Sequence, residues 1–135
     1  PTFAALRGMQ RLGDQLAPFI LEKLERVCSP HLASFHAAIK RGVCICTGTD
    51  AGTPNNPHGN IADELAAFRE AGMPILDCWR AATANGARAL GLEDRGLLVA
   101  GRRADMISVS RDDFDLIPGN FTPRGVWRAG LQLRG

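Results

Sequence analysis

The run Cys44-Ile-Cys-Thr-Gly-Thr-Asp-Ala-Gly52 sets one carboxylate, Asp50, between small residues at the end of a short apolar stretch. Val43, Cys44, Ile45 and Cys46 carry no charge, as befits a strand covered on both faces in a parallel sheet. Gly52, Thr53, Pro54, two asparagines and Pro57 follow, a composition that forms a loop. A carboxylate at the carboxyl end of such a strand, opening into an irregular loop, is the usual place for a catalytic residue in α/β barrels. Strand alternation puts Cys44, Cys46, Gly48 and Asp50 on one face and Val43, Ile45 and Thr47 on the other, toward covering helices. The same spacing also suits an Asp in an Asx-turn or a helix cap, and spacing alone leaves both readings open.

His58, just past the Pro-Asn-Asn-Pro loop, is the second candidate: it either faces the site and binds a substrate carbonyl or carboxylate, or packs ahead of the next helix. His31 and His36 are five positions apart, about 140° around a helix, and cannot share a metal as an i, i+4 pair does. They read as surface or packing residues. Lys23 and Lys40 sit on charged helix faces. Cys44 and Cys46 point to one side of a strand, where a mutual disulfide has poor geometry, and they read as small buried hydrophobes. Cys28 and Cys78 fall in helical stretches, and no CxxC pair suggests a zinc knuckle. Unpaired cysteines suit a reducing, cytoplasmic setting.

The elements that must position these groups are read from periodicity and punctuation. One amphipathic helix is expected from Ala17 to Val27, stopped by Ser29-Pro30, and a second from His31 to Arg41 with Leu32, Phe35 and Ile39 inward, stopped by Gly42. Asn60 reads as an N-cap with Asp63 and Glu64 in the first turn and Ile61, Leu65 and Phe68 as the buried stripe. Gly72 ends that helix, and Pro74 opens the next at N1 with Ile75, Cys78, Trp79 and Ala82 inward. Thr83 caps a short alanine-rich helix that stops at Gly91. Beyond Gly96 the pattern turns to strands at Leu97–Val99 and Met106–Val109, with a final hairpin at Arg124–Arg128 and Leu131–Leu133.

Taken in order, several motifs resemble the C-terminal part of the amidohydrolase superfamily. They are Gly48-Thr-Asp-Ala-Gly52, His58-Gly59, Glu64-Leu65, Glu70-Ala-Gly-Met-Pro74, Ala81-Ala-Thr-Ala-Asn-Gly-Ala87, Leu90-Gly-Leu92 and Gly96-Leu-Leu-Val-Ala-Gly-Arg-Arg-Ala-Asp105. Each is weak alone, but the series spans roughly residues 43 to 109. It is most similar to the branch with imidazolonepropionase-like enzymes and metal-dependent Xaa-Pro dipeptidases. The resemblance implies an α/β fold: the C-terminal part of a (β/α)8 TIM barrel, about strands 7 and 8 with their helices, over residues 1–95. Part of a small β-sandwich follows over 96–135. Pro1-Thr2-Phe3 would end the seventh strand, and a whole barrel needs about 200 residues or more, so 135 residues predict a piece.

The resemblance further implies that the parent is a metal-dependent hydrolase of an amide bond in a cyclic amide or dipeptide-like small molecule. Asp50 would be both the metal-site carboxylate and the general base, and His58 would touch substrate. The cofactor would be a divalent metal, zinc, as one or two ions. Its other ligands are not in this chain, which has no His-x-His, so the segment alone should be inactive. Asp105 would be structural, at the start of a sandwich strand. An alternative from another class is a non-catalytic barrel relative acting as a scaffold or assembly subunit, although a scaffold has no need of a carboxylate at position 50. A third is an independent small α/β binding domain, which would be a well-behaved monomer.

Hydrophobic residues at 45% and charged residues at 22% predict a packed chain, not a disordered one. A net charge of +2 and a pI near 8.7, without a Lys/Arg stripe, predict no nucleic-acid partner. No apolar run approaches the roughly 20 residues that cross a bilayer, so no membrane partner is expected. The start has no charged n-region before an h-region, which in a piece says nothing of secretion. Apolar helix faces around Phe35, Phe68 and Trp79 and open strand edges predict a homo-oligomer.

Overall fold

The computed structural model describes residues 2–135, so Pro1 lies outside the described residues. The order is α1 (Phe3–Leu12), a 3₁₀ turn, α2 (Pro18–Lys40), α3 (Ile61–Glu70), α4 (Ile75–Ala82), α5 (Ala84–Ala89), β1 (Met106–Ser108), α6 (Arg111–Leu116), β2 (Gly125–Arg128) and β3 (Leu131–Arg134). Phe3, expected to end a strand, opens a helix instead. The buried face of α1 is Ala4, Ala5 and Gly8, small side chains that let its axis lie close to its neighbours.

The two helices expected on either side of Ser29-Pro30 are one. Pro30 lies exposed inside α2, where it supplies no amide to the preceding turn. An interior proline costs about 3 kcal/mol or more, and the buried side chains of Leu24 and Phe35 on its two sides hold the halves in line. Gly42 ends the helix at φ 66, as its position predicted.

The core gathers Phe35, Ile45, Leu65, Phe68, Met73, Cys78, Ala81 and Ile117, with Phe3, Trp79 and Phe121 at its margin. Phe35 lies 5.0 Å from both Phe3 and Phe68, centroid to centroid. Each such aromatic pair adds about 0.5–1.5 kcal/mol beyond the area it buries. The faces at Phe35 and Phe68, expected to lack neighbours, are therefore satisfied within the chain. Trp79 is likewise taken: it stacks on Phe114 at 5.5 Å and its indole N–H donates to the Phe114 carbonyl at 3.0 Å, which ties α4 to α6.

Val43–Cys46, expected to be a barrel strand, has no ladder partner among the described residues. A strand exists through its neighbours, and this stretch is held by other means. The Val43 amide donates to Ala38 and the Thr47 amide to Ala81, while the Asn85 side chain donates to the Ile45 carbonyl at 2.8 Å. Ile45 is buried as alternation predicted, but Val43 is exposed, Cys44 is exposed and Cys46 only half-buried, so the two cysteines are not core residues. All four cysteines are free. A closed barrel is accordingly not visible among the described residues.

The C-terminal sheet is antiparallel in the order β1-β2-β3, with Met106 opposite Trp127 and Arg128 opposite Leu131. Ala129 and Gly130 turn the hairpin at φ 50 and 81, the left-handed pair that a two-residue turn of matching twist requires. Leu97–Val99, expected as a strand, is exposed irregular chain. Between β1 and β2 runs α6, which the expected elements lack. Its cap is local, the Ser110 hydroxyl accepting the Asp113 amide at 3.0 Å. No helix among the described residues is long and apolar enough to cross a membrane.

Candidate functional site

Asp50 stands exposed at φ 54, the left-handed region that Asp tolerates better than most residues. Its main-chain carbonyl turns into the loop, where it accepts the Thr53 hydroxyl at 2.9 Å, the Asn56 side-chain amide at 3.0 Å and the Thr53 amide at 3.4 Å. The loop closes behind it with Gly52 N–H donating to the Asn56 carbonyl at 2.9 Å and Asn56 N–H to the Thr53 carbonyl at 3.0 Å. Main-chain polarity is thus used internally, and the carboxylate is left to solvent.

Two further groups shape the loop. A Cβ on Gly52 would lie 3.5 Å from His58 Nε2, so the exposed imidazole sits over the residue two positions after Asp50. The structure therefore brings both sequence-derived candidates, Asp50 and His58, to one loop. From behind, α1 presses so closely that a Cβ on Gly8 would come within 2.6 Å of the Pro54 carbonyl oxygen and 3.0 Å of that of Asn55.

The remaining polar candidates lie elsewhere. His31 packs on the Phe3 ring at 4.5 Å and burial lowers its pKa; His36 Nε2 is 2.9 Å from the Ala71 carbonyl. On α2, His31 is thus a packing residue and His36 an exposed one. Asp105 accepts the Ala129 amide at 2.8 Å and the Arg103 guanidinium at 2.9 Å, contacts that hold its carboxyl below the usual range and fasten the hairpin turn. Its role is structural.

Three groups escaped the sequence reading. Asn56 is 2% exposed in a loop whose neighbours Asn55 and Pro57 face water. Asp63 and Glu64, expected in the first turn of a helix, are both buried. Asp63 grips the Arg11 guanidinium at 2.6 and 2.7 Å with Arg7 at 3.6 Å, and Glu64 Oε2 accepts the Ala4 amide at 2.7 Å near the start of α1. Asn60 occupies the N-cap position of α3, but its side chain accepts no backbone amide. Asp63 also accepts the nearby Asn60 side-chain amide at 3.4 Å, but the Arg11 and Ala4 partners that bury these two acids lie more than fifty positions away, beyond the reach of any local pattern.

Chemically, an exposed carboxylate on a rigid loop can exchange a proton or give an oxygen to a cation. As a metal ligand it fits as one donor. A catalytic zinc takes three protein ligands, and among the described residues no three His, Cys, Asp or Glu side chains cluster to hold an ion.

Helices packed on an apolar core and followed by a small antiparallel sheet make this a mixed α/β segment. Residues 9–133 match the profile of the amidohydrolase family, and the chain belongs to that family, whose members are metal-dependent hydrolases acting on C–N bonds. It is 33% identical to ochratoxinase of Aspergillus niger over 129 residues, covering 91% of this chain and 26% of that protein. Against imidazolonepropionase of Deinococcus deserti it is 36% identical over 99 residues, 70% of this chain and 25% of that one. A crystal structure of a Xaa-Pro dipeptidase with methionine in its active site superposes with a TM-score of 0.78 at 28% identity, over 98% of this chain and 33% of that one. The chain thus spans between a quarter and a third of the length of these relatives.

Proposed function

We propose that this chain supplies the proton-transfer carboxylate of a metal-dependent amidohydrolase that cleaves an amide bond in a cyclic amide or dipeptide-like small molecule. The observation that carries the reading is Asp50: exposed, held in the left-handed region, and fixed by its own main chain within the segment that matches the family. A divalent cation, zinc by the family resemblance, would supply a water that loses its proton near neutral pH. Asp50 would give one oxygen to that centre, the other donors coming from outside this chain.

Its carboxylate takes a proton from the attacking water as the new C–O bond forms, and returns it to the leaving nitrogen as the C–N bond breaks. His58, on the same loop, would hydrogen-bond the substrate carbonyl or carboxylate. The substrate class rests on the names of the relatives, a dipeptidase and an imidazolonepropionase. Asp50→Asn in the longer protein tests the role, because an amide cannot take up the proton. Turnover should fall by about 10² or more with the melting temperature nearly unchanged. An unchanged kcat refutes the assignment.

A further inference from the structure

We infer that Asn56 is the positioning residue that sets the direction of the Asp50 carboxylate, an inference that rests on the proton-transfer reading of Asp50. A single nitrogen, Asn56 Nδ2, donates to the carbonyl of Thr49 at 2.7 Å, the carbonyl of Asp50 at 3.0 Å and Thr53 Oγ1 at 3.0 Å. In an extended chain successive residues face opposite ways. One donor can reach two successive carbonyls only if the backbone reverses between them, and the reversal is the φ of 54 at Asp50. The amide orientation is not interchangeable, since the opposite one would set Oδ1 against two carbonyl oxygens.

The cost of this arrangement argues against simple space filling. Asn56 is 2% exposed, and its Oδ1 is buried without a hydrogen-bond partner among the described residues. An unsatisfied buried acceptor costs about 1–3 kcal/mol, which an apolar residue of the same shape would avoid. What an apolar residue cannot do is hold two carbonyls on one side of the turn. Asn56 also closes the loop through its own main chain, to Gly52 and Thr53, so one residue governs both ends of the segment that carries Asp50 and underlies His58.

Asn56→Asp keeps the shape and removes the donors, which makes it the test. On the isotopically labelled chain, NMR should show a strong intraresidue amide-to-Hα contact at Asp50, the mark of a left-handed residue, and slow solvent exchange of the Asn56 side-chain amide. In the variant that contact should weaken to the value of an extended residue while the amide shifts of α1 to α4 stay in place; an unaltered Asp50 overturns the inference. Should the variant fail to fold, fast exchange of the Asn56 side-chain amide in the unsubstituted chain overturns it equally, and slow exchange upholds it. In the longer protein Asn56→Asp should lower kcat by about tenfold to a hundredfold, the range of a misplaced reacting group, with KM little changed. Combined with Asp50→Asn it should add nothing further, and full additivity counts against positioning. If Asn56→Asp turns Asp50 but Asp50→Asn leaves kcat unchanged, positioning stands and the catalytic reading falls.

Discussion

Replacing Glu64 with Gln isolates the energetics of a carboxyl enclosed by the protein. Its side chain is fully buried, Oε2 takes the Ala4 amide, and Oε1 has no partner among the described residues. Burial raises its pKa from an ordinary 4.5 to about 7, against the opposing pull of the Ala4 amide and the Arg7 charge. The folded protein therefore favours the neutral acid. Unfolded chain releases this proton near 4.5 and folded chain near 7, so the stability linked to Glu64 is complete below pH 4.5 and lost by the time pH exceeds 7. At about 1.4 kcal/mol per tenfold change in proton affinity the loss is about 3 kcal/mol. The glutamine amide keeps the shape, still accepts the Ala4 amide, and does not ionise. Urea unfolding should give the two proteins equal stability within about 1 kcal/mol near pH 5, and the variant should be ahead by about 2–3 kcal/mol at pH 8. His31, whose burial lowers its pKa, loses stability in the opposite sense as pH falls, but it is common to both proteins and cancels in the difference. Curves that run parallel from pH 5 to 8 would refute the reasoning.

Gly8→Ala gains about 1 kcal/mol of helix propensity but drives a Cβ into the Pro54 carbonyl, so we expect net destabilisation and faster hydrogen exchange at the Gly52 and Asn56 amides; unchanged exchange there would show that α1 does not brace the loop. The chain alone should bind zinc only as weakly as surface histidines do, since among the described residues no His, Cys, Asp or Glu cluster forms to hold an ion; stoichiometric tight binding by calorimetry would contradict this. Self-association is expected through the open edge of β1, where Ile107, Leu97, Leu98 and Val99 are exposed, and light scattering should show Ile107→Lys reducing it. A compact monomer at all concentrations would remove the argument.

What was legible in the sequence was what short-range chemistry decides. Gly42, Gly72 and Gly91 each mark a helix end with positive φ, and α3, α4 and the Ala129-Gly130 hairpin fall close to where periodicity put them. That Asp50 and His58 share one loop was legible for the same reason, both lying beside strong turn formers. The misses have a common cause. Val43–Cys46 looked like a strand because its residues suit one, but pairing is decided by chain far away. Pro30 looked like a stop, yet burial of Leu24 and Phe35 outweighed its local penalty. The small face of α1 has no large apolar stripe to betray it, and Asn56, Asp63 and Glu64 find their roles in packing. Only α6 had a readable local signal that passed unused, Ser110 three positions before Asp113.

The stacking of Trp79 on Phe114 has a practical corollary in spectroscopy. The chain contains two tryptophans and no tyrosine, and the other tryptophan, Trp127, lies half-buried in β2 with its indole over Gly125. Emission excited at the red edge of absorption thus comes from one fluorophore at the seam between helices and sheet and one inside the sheet. Replacing either with Phe leaves a single-colour reporter. If residues 1–95 and 96–135 are separate cooperative units, the two reporters will record different midpoints in one titration, and if the seam holds they will move together.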